Sequence, residues 1–388
     1  MKRAFLTLAL AAGMAAMGLT DEPATPVAGR TTVYSFFVNV VAEPFRFPLI
    51  GFFNLMLGNH AMPQLGFVNH NTGDFSTFQM GFVNTIGGDF QGLQHGFVNT
   101  VVGYSTGAQF GFVSTSRGRV AGVQYSFGNI AGGDLSGAQI GFINMSQGAV
   151  TGAQFGFLNT SIGDVRGAQV GFISASNGDT TGLQFGFVNT SRGETRGAQL
   201  GFVNTTAGSL NGLQFGFVNV VDSIESGIPV GFISIVRNGG FRAVEYAFSE
   251  FFPVSVGLKL GVERFHTTLF LAYDVTEERS WRNFAVGFGV GSIIPIAGSF
   301  FLNPELTSFN PALDREDETR QLLGFSPLVG FNIGGRFSVT AGPTVTWSHI
   351  VSGDTDMRLE PLFSIMNYAL NDRHSIVVGA RAGLRFRF

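Results

Sequence analysis

Side chains able to do chemistry are present in this chain, but their spacing does not assemble them into a reactive centre. The six histidines, His60, His70, His95, His266, His349 and His374, are scattered, and none falls in a metal-binding spacing such as H-E-x-x-H. No serine is read as a nucleophile. Gly287, Gly289 and Gly291 look like a fragment of a nucleotide loop, but they sit inside an alternating strand pattern with no helix to follow, so they read as strand glycines. Asp314, Glu316, Asp317 and Glu318 are a candidate calcium loop. Arg315 interrupts the group and no EF-type spacing exists, so a solvated charged loop is the better reading. No catalytic, cofactor-binding or metal-ligating residue is therefore assigned, and no enzyme is expected.

The amides are the exception, because they recur on a fixed period. Gln stands at every fifteenth position from Gln64 to Gln214, and each is followed three residues later by Phe. The Phe recurs thirteen times, at positions 52, 67, 82, 97, 112, 127, 142, 157, 172, 187, 202, 217 and 232. Two residues after Phe stands Asn or Ser, from Asn54 to Ser234. Gly precedes Phe in every copy except one, where Ser126 stands. The unit reads G-A/L-Q-φ-G-F-V-N-T-S-x-G-D-φ-x, with φ apolar. A short fixed period means that each unit stacks on a copy of itself. If equal positions stack directly, Asn lies on Asn and their side-chain amides pair along the axis.

Composition narrows the class. The 388 residues include 55 Gly and 43 Phe, only 13% are charged, and the net charge of −3 gives no support to a nucleic-acid partner. The chain is apolar and sheet-prone, yet no segment of the expected mature chain has the ~18 unbroken apolar residues of a membrane helix. That combination fits an outer-membrane β-protein. Lys2 and Arg3 precede an Ala-rich apolar run from Ala4 to Met17, the pattern of a secretory signal peptide over residues 1–22, with cleavage between Ala16 and Ala24. Residues 23–44 then supply a polar leader and a first strand. With no cysteine, neither disulfides nor a lipidated N-terminal Cys are available.

Residues 236–388 alternate with period two. Val378, Ala380, Ala382, Leu384, Phe386 and Phe388 lie on one face; Gly379, Arg381, Gly383, Arg385 and Arg387 lie on the other. The stretches 254–262, 283–290 and 336–347 alternate likewise, and further strands are expected at 241–249, 265–276, 299–309, 321–333 and 357–370. Eight or nine strands of about ten residues suit a membrane barrel with small polar or basic residues inside. Tight turns are expected at Glu263-Arg264, Ala297-Gly298 and Gly334-Gly335, with long loops at 277–281, 310–320 and 349–356. One point conflicts: an even count with Phe388 in the periplasm is expected to place the long loops on the periplasmic side, against the habit of such barrels. A soluble antiparallel barrel or sandwich is the alternative.

For residues 45–235 two architectures compete. In a β-solenoid each unit is one coil, so Phe lies on Phe and Asn on Asn at ~4.8 Å. In one large up-and-down barrel each unit is a strand and S-x-G-D is a hairpin turn. Identical strands with identical turns give almost no cumulative stagger for closure, which favours the solenoid. Strict alternation places Ala168, Val170, Phe172 and Ser174 on one face and Val165, Gly167, Gln169, Gly171 and Ile173 on the other. The corner glycines Gly148, Gly163, Gly178, Gly193 and Gly208 are expected at positive φ, and the Gly beside Phe is expected to admit a neighbouring backbone. The variable rows (Gln147, Ile162, Asn177, Arg192, Ala207 and Thr151, Arg166, Thr181, Arg196, Asn211) are expected on the surface, where any ligand would bind.

The repeated unit, together with GFISIVRNGG at 231–240 and PVSVGLKLG at 253–261, resembles the surface-repeat proteins of spirochaetes and other double-membraned bacteria. It departs from them in using Phe at nearly every aliphatic position. The resemblance covers most of the expected mature chain and implies an outer-membrane or cell-surface location and a repeat array leading into a sheet-rich segment; it transfers no site residues. The expectation is a non-enzymatic, exported protein with a structural, adhesive or ligand-binding role, contacting outer-membrane lipid through residues 236–388. The rival readings are a porin or transporter built as one large barrel, and a soluble module binding through its Thr row.

Overall fold

The computed structural model describes residues 32–273, 284–311, 319–352 and 361–388. The expected signal peptide, most of the leader, and the acidic residues Asp314, Glu316, Asp317 and Glu318 lie outside the described residues. The described elements are all strands, in two sheets.

From Val38 to Asn238 each unit pairs in parallel with the next, offset by fifteen residues: Val165 with Thr180, Gln169 with Gln184, Ile173 with Val188. Neighbouring strands of an up-and-down barrel must run antiparallel, so the large-barrel alternative is overturned. The array is a β-solenoid of about 13 turns. A coil is two strands, such as Thr180–Phe185 and Val188–Ser191. They meet at a bend at Gly186 and Phe187, and a turn around Arg192 and Gly193 leads to the next coil.

The interior of a coil holds Val165, Gln169, Ser174 and Ser176, each no more than 1% exposed. Phe172 points outward and is 45% exposed. This corrects the face assignment: alternation carried through the unit joins Ser174 to Phe172, but the inward set changes phase between Gln169 and Ser174, where the register skips Phe172 and the sister coil bends at Gly186 and Phe187. Three stacks hold the rod together. Each Gln donates from Nε2 to Oε1 of the Gln one coil earlier, at 2.5–2.9 Å, unbroken from Gln64 to Gln214. Each Asn donates from Nδ2 to Oδ1 of the Asn one coil later, at 2.7–2.9 Å, and the run is interrupted at Ser114, Ser174 and Ser234. The Phe rings from Phe52 to Phe232 stack outside with centroids 4.8–5.0 Å apart. A narrow coil has little apolar volume, so paired amides take over from an aliphatic core.

The left-handed glycine row is also corrected. Positive φ falls on the Gly two residues before Gln, such as Gly152 (+134°) and Gly167 (+138°), and not on the corner glycines. A Cβ on Gly167 would lie 2.0 Å from the Gly152 carbonyl oxygen. Thr77 occupies this row with φ of +126°. The Gly beside Phe does admit a neighbour: a Cβ on Gly171 would lie 1.9 Å from Gly156 O and 2.6 Å from Asn159 Nδ2. Ser126 shows what relaxes the second of these contacts. Its opposite residue is Ser114 rather than Asn, and the two hydroxyls bond at 2.7 Å.

The second sheet closes as an antiparallel barrel of eight strands: Phe241–Phe248, Val254–Val262, Phe265–Tyr273, Phe284–Gly291, Phe300–Pro311, Thr319–Ile333, Phe337–Ser352 and His374–Arg387. The last strand pairs with the first from Ala382 with Phe248 to Arg387 with Ala243. The expected strand at 357–370 is not a stave. Met366–Asn371 is a short arm covering the edge of the last strand above the point where the first strand ends. The tight turns fall at 263–264, 298–299 and 334–336. Phe388 lies at the same end, its amide donating to Arg242 O. The strand ends at Tyr273, Pro311 and Ser352 lie at the other end, so the conflict over loop sides disappears.

Candidate functional site

The barrel's two faces carry opposite chemistry, because period-two strands send alternate residues in and out. The lumen holds Glu245, Lys259, His266, Glu305, Arg381 and Arg385, each no more than 6% exposed. Arg385 Nη2 lies 2.7 Å from Glu245 Oε2 and donates to Asn303; Arg381 Nη1 lies 2.9 Å from Glu305 Oε2, and its other amino group meets Glu245. Lys259 bonds to Glu305 and lies 3.5 Å from Glu245. His266 Nε2 lies 3.5 Å from Glu305 Oε1. Glu245 thus meets cations from the strands on either side of its own, Glu305 meets the same cations from across the lumen, and Arg381 also covers the Phe270 ring at 5.1 Å. Toward the loop end Phe251 and Phe252 tuck in against Ala272, Ala285, Leu322 and Val377, while Glu250 accepts from Thr346 at 2.7 Å. The space left between these layers is about 30 Å³, room for about one water. Crossed ion pairs fill the lumen at this level, and a cavity of about 230 Å³ lies on their turn-end side, lined by Phe241, Phe301 and Arg385.

The outer wall is apolar. Val244, Val256, Leu271, Val286, Leu306, Val329, Val339 and Leu384 are all exposed. Aromatic residues mark both ends of the strands: Phe300 with Phe331 and Phe337 with Phe386 at the turn end, Phe248 with Phe363 and Tyr273 with Phe284 at the other. Phe337 and Trp347 lie on one outward row of a single strand. Ten residues at ~3.3 Å, tilted ~40°, put them ~25 Å apart along the barrel axis.

The residues singled out in the sequence do not converge. His60 lies in the first coils' interior between the rings of Phe45 and Phe75. His70 bonds Thr85 at 2.5 Å and His95 is exposed. Burial lowers the pKa of both His60 and His70. His349 and His374 stack on each other at 4.4 Å and on Trp347. Gly287, Gly289 and Gly291 are strand glycines, where a Cβ would meet Phe309, Phe270 and His266 respectively. A G-x-S-x-G match that sequence reading passes over, Gly103 to Gly107, places Ser105 in the solenoid interior on a parallel strand, with no elbow. The variable rows are largely exposed at the turn edge of the coils. The lumen cluster was missed as a unit. Its signal was available: Lys259, Arg381 and Arg385 all read as inward-facing, and buried cations require carboxylates, which Glu245 and Glu305 supply from two other expected strands.

No protein-family model, no curated protein and no solved structure matches this chain.

Proposed function

We propose that this is an exported, non-enzymatic outer-membrane protein. Its eight-stranded barrel is a closed membrane anchor, and its solenoid is a rigid array with a structural or ligand-binding role. The observation that carries the reading is the inverted polarity of the barrel: ion pairs fill the lumen while Val, Leu and Phe line the outside between two aromatic rows. A soluble barrel places its apolar face inward; a lipid-solvated one reverses it. The ~25 Å between the rows matches the apolar band of such barrels.

The plugged lumen supports an anchor over a pore. The array leaves the barrel at the end carrying the tight turns and Phe388, the end that faces the periplasm in barrels of this kind. The test is heat-modifiable migration of membrane-extracted protein, full length against residues 236–388, followed by planar-bilayer recording and protease treatment of intact cells. The reading expects a boiling-dependent shift from both forms, no steady conductance, and an array protected in intact cells. An array digested in intact cells would instead place it on the cell surface in an adhesive role. Failure of both forms to enter membranes would sink the outer-membrane reading, and stable conductance would sink the plugged anchor.

A further inference from the structure

The solenoid is amphipathic along its length. Thirteen Phe rings, each 37–50% exposed, form one edge. They are flanked by apolar columns such as Phe155, Val170 and Phe185 on one side and Leu158, Ile173 and Val188 on the other. The exposed charges Arg166, Arg192 and Arg196 and the variable Asn177 occupy the opposite, turn edge. At ~200 Å² per ring, the rings alone present on the order of 1,000 Å² of apolar surface, against the few hundred Å² that monomeric soluble proteins leave open.

We propose that this Phe edge lies in the surface of the lipid bilayer, so that the array rests along the membrane and does not project from it. The inference rests on the barrel being a membrane anchor, because the two apolar surfaces are one. Phe232, the last ring of the ladder, stacks on Phe288 of the barrel's outer wall at 5.1 Å and 11°, continuing the same spacing. The last coil is fixed there, with Thr267 Oγ1 donating to Phe232 O. The occupant's chemistry follows from what the edge lacks. Its backbone groups are consumed by the parallel ladder, and the repeating rings offer a protein partner neither a distinct register nor polar anchors. Lipid asks for neither, and aromatic rings favour the interfacial depth.

The chain has no cysteine, so single cysteines can be labelled cleanly. In the full chain refolded into phosphatidylcholine vesicles, a polarity-sensitive dye is placed by Phe142→Cys, Phe187→Cys, Asn177→Cys at the turn edge, or Val329→Cys on the barrel wall. Folding of each variant is checked by its heat-modifiable band. Lipid-borne nitroxide is then titrated. The expected result is strong loss of emission at Val329, Phe142 and Phe187, and little at Asn177. Quenching at Val329 without quenching at Phe142 and Phe187 overturns the inference and leaves the barrel reading intact. Absence of quenching at Val329 removes both. A Phe-edge probe that is shielded from lipid while the protein sediments as a larger species assigns the edge to a second copy of this chain and also overturns the proposal.

Discussion

The amide ladder can be tested by one isosteric substitution, Gln154→Glu. Gln154 is fully buried; it donates to Gln139 Oε1 at 2.8 Å and to Thr160 O at 3.2 Å, and it accepts from Gln169 Nε2 at 2.8 Å. A carboxylate keeps the accepting role and leaves no cavity. Ionised, it faces two acceptors without a proton. Burial without a compensating cation raises a carboxyl pKa by ~3–5 units, equivalent to ~4–7 kcal/mol at pH values above the raised pKa. The sign follows from linkage: with the folded pKa above the unfolded one, the penalty is absent below pH ~4 and grows as pH rises toward the folded value. Gln154→Met takes a partner from Gln139 Oε1, Thr160 O and Gln169 Nε2 and costs ~2–5 kcal/mol at any pH. Amide hydrogen exchange over residues 139–176, corrected for intrinsic rates, reads the loss locally, because an array opens coil by coil. The carboxylate variant should exchange near its parent's rate at pH 4 and far faster at pH 8, while the Met variant shows a similar deficit at both. If the Glu substitution leaves exchange at pH 8 unchanged, residue 154 has access to water and the ladder does not exist.

Four further outcomes are expected. Gly201→Ser, whose Cβ would meet Asn189 Nδ2 at 2.6 Å, should destabilise its coil ~1–3 kcal/mol more than Gly186→Ser, whose partner is Ser174, when compared by chemical denaturation; equal losses would mean that Ser126 is tolerated for another reason. Glu245→Ala leaves Arg385, Arg381 and Lys259 to share Glu305, and should cost the barrel ~3–5 kcal/mol, read as a lower temperature for loss of the compact heat-modifiable band. Because burial lowers the pKa of His60 and His70, the unfolded chain binds protons first, so the stability of the first coils is full above pH 6.5 and falls as pH drops through the folded values. Exchange at residues 49–90 should quicken over that range, and His60→Phe, which extends the ring row of Phe75 and Phe90, should remove the His60 part. Arg192→Ala, at an exposed turn, should change stability by less than ~0.5 kcal/mol.

The two-part architecture was legible because period fifteen and period two are properties of the chain itself. Stacking of equal positions follows from an unbroken repeat, and the inward set Ser255, Gly257, Lys259 and Gly261 follows from alternation. Three things were not legible. The phase break between Gln169 and Ser174 resets which residues face inward, and such a break leaves no trace in a pattern that is apolar on both sides of it. The positive-φ row was assigned to the wrong glycines because both rows satisfy the same rule of turn chemistry; only the approach of the Gly152 carbonyl distinguishes Gly167. The choice between eight and nine staves was open because Met366–Asn371 has strand composition but covers an edge. The ion-pair plug joins residues up to 140 positions apart, and that partnership depends on closure between the first and last strands.

The two amide ladders run in opposite directions, Gln donating toward lower-numbered coils and Asn toward higher. An amide carries a dipole of ~3.5 D, and a file of eleven aligned Gln side chains would place partial positive charge near Gln64 and negative charge near Gln214. The Asn file sets up the reverse field. Backbone bonds alternate between the coil before and the coil after, so they add little along the axis. The rod is therefore close to electrically balanced from end to end, and it can lengthen by whole units without building up a terminal charge that attracts ions or a second rod.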